Sequence, residues 1–550
     1  MSYNSYLRKH ITSTFSFSPV DVKTVKNIVR NSKPKTSKGT DGITMKLLKL
    51  ILDSIALPLT ILINQSMMTG IFPTQFKTAK IMPLLKKPNI YQIDNFRPIS
   101  LLPCISKIVE KCVFNQLNEY FEKHKLLYNS QYGYRQGHST ETACLELIDK
   151  LHQQLENNQR PLCVFIDLSK AFDTLNHTIL LSKLRYYGLD EHAISWFKSY
   201  LSNRKQFVQI DDIKSNVKNI ETGVPQGSTL GPLLFIIYMN DISVSSDLLK
   251  SILFADDTTL NTVLSIFPAS NGITTSYLIN NELNKITEWL RANKLSLNTG
   301  KTKYMLFRYS QTPLVNIPKL NLIMDGKAID KVDSFNFLGI TISETLSWKL
   351  HIEKISMKMV KVIGVMRRIK NIVSSSILLK IYSSLILSHL HYGILCWGFS
   401  RNKLFRFQKK AIRLIAKQKY NAHTDPLFKK FKLLKIDDIF KMQSLKFLYK
   451  QKKGKTPRYF DNIFDNHQRN VTHNYNTRNR NMLHPVRTNR ETTKNTIRYS
   501  TPLLFAELSE NLKLQVTTLS LNSFKSSLKK AYLDSYQTQC VKLRCYVCSR

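Results

Sequence analysis

Two apolar runs in this sequence end in aspartate. Leu162 to Ile166 leads into Asp167, and Ile252 to Ala255 leads into Asp256 and Asp257. A carboxylate at the end of a buried strand costs several kcal/mol unless it is paired or bound to a cation, so acids converging there need one. Mg²⁺ is the natural candidate, because it is hard, prefers carboxylate oxygens and water, and is commonly shared with substrate phosphates. Two such ions about 3.5 to 4 Å apart would lower the pKa of an attacking hydroxyl and stabilise a leaving pyrophosphate during in-line transfer. Asp256 follows Asp167 by 89 residues, so only tertiary structure can bring them together. Adjacent strand residues face opposite ways, so Asp256 and Asp257 can serve one cluster only if a tight turn rotates one of them; Thr258 and Thr259 are read as favouring that turn. A bare Asp-Asp pair is more often a cap or surface turn, and what gives this one weight is its surroundings.

Those acids must be carried by a mixed scaffold. From Ile81 to Gly339, short β-rich runs (LCVFIDL, KSILFADD, KYMLF) alternate with helical patterns such as ISKIVEKCVFNQLNEYF and NELNKITEWLRANK, which predicts an α+β domain. Upstream, FSFSPVDVKTVKNIV reads as a helix start with Ser18 as cap, Pro19 at the first helical position and Asp21 in the first turn; Val22, Val25 and Val29 then face a core. A Lys, Pro and Gly loop, KPKTSKGTDGI, suits phosphate contact and precedes a long apolar helical pattern from Met45 to Met68. Downstream, Ile352, Ile355, Met359, Val362, Met366 and Ile369 form an amphipathic stripe with Lys354, Lys358, Lys361 and Arg367 between them. Residues 465 to 500 read as a polar linker, followed by an amphipathic segment around Leu519 to Leu533.

Charge narrows the function. The 550 residues hold 81 Lys and Arg against 38 Asp and Glu, a formal +43 spread along the whole chain, which points to a polyanionic partner. Residues 401 to 460 concentrate 19 Lys or Arg against 3 Asp, interleaved with aromatics from Phe405 to Tyr459 that anchor a core or stack on bases. No signal-peptide pattern opens the chain, and its most apolar stretch, Ile51 to Phe72, is interrupted by Asp53, Pro58, Asn64 and Gln65. An intracellular protein without a membrane partner is expected. Eight cysteines suit a reduced compartment. Cys540, Cys545 and Cys548 lack a fourth nearby ligand, so a polar tail is expected there in preference to a zinc site.

The ordered set SKGTDGI, KIMPLLKKPN, NFRPISLLPCISKIVEK, QYGYRQGHST, VFIDLSKAFDTLNH, GVPQGSTLGPLLFIIYMNDI, LFADDTTL, LNTGKTKYMLF and FLGITIS resembles the reverse transcriptase of non-LTR (LINE-type) retrotransposons, Jockey-like ones most of all. The likeness is dense from Lys35 to Ser343. It implies a right-hand polymerase: an N-terminal extension with a basic loop (1–67), fingers and palm (68–343), a basic helical thumb and connection (344–460), and a linker and tail (461–550). It further implies RNA-directed DNA synthesis from an RNA template, a DNA primer or target and dNTPs, with two Mg²⁺ ions or Mn²⁺ in their place. Asp167, Asp256 and Asp257 are then the metal ligands, with the Leu168 carbonyl helping.

By the same resemblance Phe172 is a steric gate against a ribose 2′ hydroxyl, although alone it reads as core packing. Gln226 lies near the incoming nucleotide, and Gly223, Gly227 and Gly231 allow close backbone approach or simply make turns. Arg97 and Arg135 meet triphosphate or template, or else form surface ion pairs. Lys301 protonates departing pyrophosphate or merely solvates a loop. Leu338 and Gly339 resemble a primer grip. Asp173 and Asp241 are read as structural acids, and His138 and His177 as hydrogen-bonding loop residues. About 35 residues precede the SKGTDGI loop, so no endonuclease domain is expected, a separate endonuclease becomes a partner, and the chain reads as a truncated element copy. A nuclear and cytoplasmic ribonucleoprotein location follows. The rival reading is a catalytically inactive, domesticated nucleic-acid-binding protein on the same fold.

Overall fold

The structure is a computed structural model of the 550-residue chain, and it describes all residues except 1, 8–10, 87–88, 90, 267–271, 314–317, 465–482, 484, 487, 489 and 539–550. The terminal cysteines, and most of the segment read as a linker, lie outside the described residues. Fourteen strands are described. β1 (Thr78–Leu85), β2 (Phe96–Leu101), β4 (Arg204–Ile210), β5 (Ile213–Lys214) and β6 (Lys218–Ile220) form one sheet, with β1 antiparallel to β2 and parallel to β4. β3 (Pro161–Ile166), β7 (Lys250–Phe254), β8 (Asp257–Val263), β9 (Lys303–Leu306) and β12 (Asp330–Lys331) form the second, in the order β12-β9-β3-β8-β7. β10 (Ile323–Met324) with β11 (Lys327–Ala328), and β13 (Ser334–Phe337) with β14 (Ile340–Ser343), are separate hairpins. With helices through most of the remainder, the chain is α+β.

The second sheet divides two cores, and this explains why every residue of β3 is buried. Side chains alternate along a strand. Leu162, Val164 and Ile166 enter one core, which collects the helices Val22–Asn31, Leu52–Thr69, Cys104–Lys123, Gly231–Tyr238 and Gly272–Ala292. Cys163 and Phe165 enter the other, built from Thr140–Glu156, Lys349–Ile369, Asn402–Ile415, Ile436–Lys452 and Leu521–Asp534. A strand apolar on both faces is the pattern of a septum, not of a half-solvated sheet.

Local differences from the sequence reading have local causes. The first long helix begins one turn later than Ser18: Asp21 is its cap, accepting from the Thr24 amide, and the Ser18 amide is taken by Gln116. Val25 and Val29 are fully buried, as expected. The Met45 to Met68 pattern is two helices, Met45–Leu50 and Leu52–Thr69, joined at Ile51. In the downstream stripe Ile352, Ile355, Met359 and Met366 are buried, with Val362 and Ile369 packed beside them. Of the aromatics in 401 to 460, Phe428, Phe440, Phe447 and Tyr449 are core anchors, while Tyr420 is exposed.

The expected linker is corrected over its described end. Glu491–Lys494 and Ile497–Ala506 are helical, and Arg498 grips the buried Asp149 of the Thr140–Glu156 helix through Nε at 2.7 Å and Nη2 at 2.8 Å. Polar composition hid this docking because the contacts are ionic and hydrogen-bonded instead of apolar. Among the described residues no helix is long and apolar enough to cross a membrane.

Candidate active site

β3 and β8 run antiparallel with Ile166 opposite Thr258, so Asp167 emerges beside the start of β8, where Asp257 stands. β7 and β8 are a hairpin whose closing pair is Phe254 with Asp257, leaving Ala255 and Asp256 as its two-residue turn. The turn therefore sits earlier than expected: Ala255 takes φ +56°, while Thr258 and Thr259 are buried inside β8. This turn, between two adjacent acids and the strand that delivered them, is what lets Asp256 and Asp257 face a common region.

The three carboxylates act on one another. Asp257 is pushed up to about 6, first by partial dehydration and then by the charges of Asp256 and Asp167. Asp256 is also raised, again first by burial, with Asp167 adding to it and Lys86 and Arg97 opposing. Asp257 reaches solvent and Asp256 is half-buried, so the cluster is accessible from solvent. Lys301 Nζ donates to Asp167 Oδ2 at 3.3 Å. Leu168 pairs with Leu297 in an isolated antiparallel bridge flanked by the bonds Asn298 N to Asp167 O and Ser169 N to Ser296 O. In that register the Leu168 carbonyl points away from its partner, and no described donor reaches it.

These groups fit a hard divalent cation: Asp256 and Asp257 have their charged forms disfavoured first by burial and then by neighbouring carboxylate charge, with Asp167 and an unused carbonyl next to them. Among the described residues no three acidic, His or Cys side chains close tightly enough to cage an ion as they stand, as expected for like charges that repel.

The remaining candidates divide. Phe172 is half-buried, stacked on Phe235 with centroids 4.3 Å apart and edge-on to Tyr134 at 6.4 Å. Gln226 donates from Nε2 to both carboxylate oxygens of Asp173, at 2.9 and 3.1 Å, while its carbonyl accepts from Ser100 N of β2. Asp173 thus pairs with Gln226, and Asp241 is the buried partner of Lys183 at 2.5 Å, both structural acids as read. Gly227, at φ +140°, lies so close to β2 that a Cβ would stand 2.4 Å from Ser100 O. Gly223, at φ +80°, would strike Asp173.

Arg97 is exposed on β2 and its charge reaches Asp256. Arg135 is not brought to the site. Its side chain is only 9% exposed, with Nε and Nη2 on Glu122 at 2.9 and 2.8 Å and Nη1 on the Tyr128 carbonyl at 2.9 Å, so the ion-pair alternative describes it. Leu338 and Gly339 form the β13–β14 turn, with φ of +45° and +87°, and Tyr392 donates to the Leu338 carbonyl. His138 and His177 bond to the carbonyls of Gln136 and Gly223.

Sequence reasoning missed the brace behind the acidic turn. Residues 130–134 lie along β7: Leu253 N donates to Ser130 O and Tyr132 N to Leu253 O, while Gln131 Oε1 accepts from both Gly133 N and Ala255 N. A Cβ on Gly133 would stand 2.4 Å from Ala255 N. Lys86, whose charge lowers both Asp256 and Asp257, was missed as well. Both lie within the motif set, but only pairing across the fold reveals their work.

Residues 85–342 match the family model described as reverse transcriptase (RNA-dependent DNA polymerase). Over this segment the chain is therefore similar to reverse transcriptase domains. Around it, the chain is 27% identical over 459 residues to the RNA-directed DNA polymerase from mobile element jockey of Drosophila melanogaster, covering 80% of this chain and 48% of that protein. It is 27% identical over 443 residues to the probable RNA-directed DNA polymerase from transposon BS of the same species, covering 76% and 47%. It is 26% identical over 444 residues to that from transposon X-element, covering 77% and 46%. The chain spans about half the length of these relatives. Reverse transcriptase domains generally use divalent metal ions, in line with the donor set found here.

Proposed function

We propose that this chain extends a DNA primer on an RNA template with dNTPs, as the copying enzyme of a non-LTR retrotransposon. The observation that carries the reading is the mutual charge of Asp167, Asp256 and Asp257 at the mouth of the second sheet, inside a reverse transcriptase domain. On this reading the second sheet is the floor of the palm, β1 and β2 belong to the fingers, and the basic Lys349–Ile369 helix opens the thumb. RNA template, DNA primer and dNTPs are its partners; a separate endonuclease and a nuclear and cytoplasmic ribonucleoprotein location are part of the same proposal.

The three aspartates and the Leu168 carbonyl would hold two Mg²⁺ ions, or Mn²⁺, which when bound supply activation of the primer hydroxyl and charge neutralisation at the triphosphate. The chain's own groups do the rest. Lys86 and Arg97 offer cations to the triphosphate from the far side of the turn, and Arg97's planar fork suits phosphate oxygens. Lys301, held beside Asp167, keeps a proton where pyrophosphate would depart. Phe172 cannot swing freely while stacked on Phe235, so its edge makes a firm wall for the sugar and disfavours a 2′ hydroxyl. Asp173 pins the Gln226 amide, so the 226–227 backbone presents a fixed surface to the base pair.

The test is primer extension on an RNA template with Mg²⁺ and dNTPs. Incorporation that Asp256→Asn abolishes supports catalysis; template binding without extension by the unaltered chain supports the inactive, domesticated alternative. Phe172→Ala should raise rNTP incorporation, and unchanged discrimination would remove the gate.

A further inference from the structure

A second cluster of cations lies away from the aspartates, in a cavity of about 210 Å³ between the start of the Thr140–Glu156 helix, the 391–396 segment and the Ile436–Lys452 helix. Lys446, Lys450 and Lys455 line it, and among the described residues none has a carboxylate within ion-pair distance. The one acid in the lining, Glu141, already accepts from Gly393 N at 2.7 Å. Lys446 is half-buried, and its ammonium is disfavoured first by dehydration and then by the charges of Lys525 and Lys450, with Glu141 opposing more weakly. A half-buried cation on which dehydration and neighbouring cations outweigh the one nearby carboxylate is costly unless a further anion joins it.

Two neutral donors share the lining. Thr456 Oγ1 is buried with no hydrogen-bond partner. Gln443 accepts from Lys446 Nζ through Oε1, which turns its Nε2 toward His391 Nδ1 at 2.7 Å and leaves the imidazole proton on Nε2. That ring is held down to about 4, by burial first and by Lys446 and Lys525 next, so it is a neutral donor, and no described acceptor meets its Nε2–H. Compact ammonium groups mixed with hydroxyl and imidazole donors suit a tetrahedral phosphate, whereas a carboxylate is better matched by an arginine fork.

We propose that this cavity is a phosphate-binding site that takes one phosphate group, supplied by a free nucleotide or by a nucleic-acid strand, on Lys446, Lys450, Thr456 and His391. The inference stands apart from the polymerase reading, because it needs neither the aspartates nor divalent ions. Its consequence is local: the lining begins at Gly137, three residues after Tyr134, which stands edge-on to Phe172, so an occupant would tie the end of the 134–137 loop to the helices after residue 390.

The test uses the full chain in EDTA at low salt, with inorganic phosphate, AMP and a ten-residue oligothymidylate as probes in calorimetric titrations. Lys446→Gln should weaken binding at least tenfold, Thr456→Val several-fold, and Lys446→Arg little; Lys198→Gln, exposed on Glu191–Leu201 in the other core, should change nothing. Without anion, Lys446→Gln should melt no lower than the parent, because a repulsion has been removed. If phosphate and AMP binding fall and oligothymidylate binding does not, the ligand is a free nucleotide. If oligothymidylate affinity falls and its salt slope drops by about one phosphate contact, the ligand is a strand phosphate. Equal binding by Lys446→Gln and parent for all probes, or equal loss in Lys198→Gln, overturns the site; should Lys446→Gln fail to fold, unchanged binding in Thr456→Val does so.

Discussion

Replacing Asp257 by Asn should make the metal-free chain more stable while removing its response to Mg²⁺. The carboxyl's rise from its ordinary 3.8 to about 6 corresponds to about 3 kcal/mol if fully felt. Because the side chain reaches water, screening reduces this to about 1 kcal/mol. The sign follows from proton linkage: the folded chain holds this proton more tightly than the unfolded one, so the penalty is absent below about pH 4, grows through about pH 6 and is complete at pH 7.5. In EDTA at pH 7.5 Asp257→Asn should therefore melt about 1 to 2 °C higher than the parent, with the difference gone near pH 4. Millimolar Mg²⁺ should then stabilise the parent by about 1.4 kcal/mol at ten times its Kd, raising its melting temperature, and leave the variant unmoved. Scanning fluorimetry across pH, with and without Mg²⁺, reads both. A variant that melts lower in EDTA at pH 7.5, or shifts equally at pH 4.5 and 7.5, would refute the idea that these acids repel one another at a cation site.

Gly133→Ala should force the acidic turn away from its brace, destabilising by about 1 to 3 kcal/mol and lowering primer extension more than tenfold; normal extension would show the brace to be dispensable. Arg97→Ala and Arg135→Ala should separate cleanly. The first raises KM for dNTPs with little change in melting, and the second lowers stability by about 2 kcal/mol with KM nearly unchanged, so the reverse assignment would return Arg135 to the substrate. Arg498→Ala leaves Asp149 buried without its cation, with only Gln153 and Tyr459 still donating to it, and should destabilise by about 3 kcal/mol, with hydrogen exchange rising first in Ile497–Ala506; uniform exchange would mean that this helix is held by other contacts.

What could be read from the sequence was whatever depended on local pattern. The apolar runs before Asp167 and Asp256, five and four residues long, are too short for buried helices and read as strands, and the motif order supplied the resemblance. The Lys349–Ile369 helix was legible from spacing alone. What escaped was set by partners far along the chain. Arg135 looked like a substrate contact until Glu122 appeared beside it, and Gln131 gives no sign in sequence that its amide oxygen ties two separate loops together. The helices after Glu491 were hidden for the same reason, since Arg498 looks like one more surface cation until Asp149 is placed beneath it.

The position of β3 has a consequence for how the chain is made. It lies in the middle of its sheet and is apolar on both sides, yet the strands that flank it, β8 and β9, are encoded roughly a hundred residues or more downstream. At ordinary synthesis rates a nascent chain would carry that sticky segment with both edges bare for roughly 5 to 20 s. A translating ribosome would thus present an aggregation-prone intermediate before the aspartates can meet, which makes chaperone supply a natural limit on how much folded chain a cell obtains.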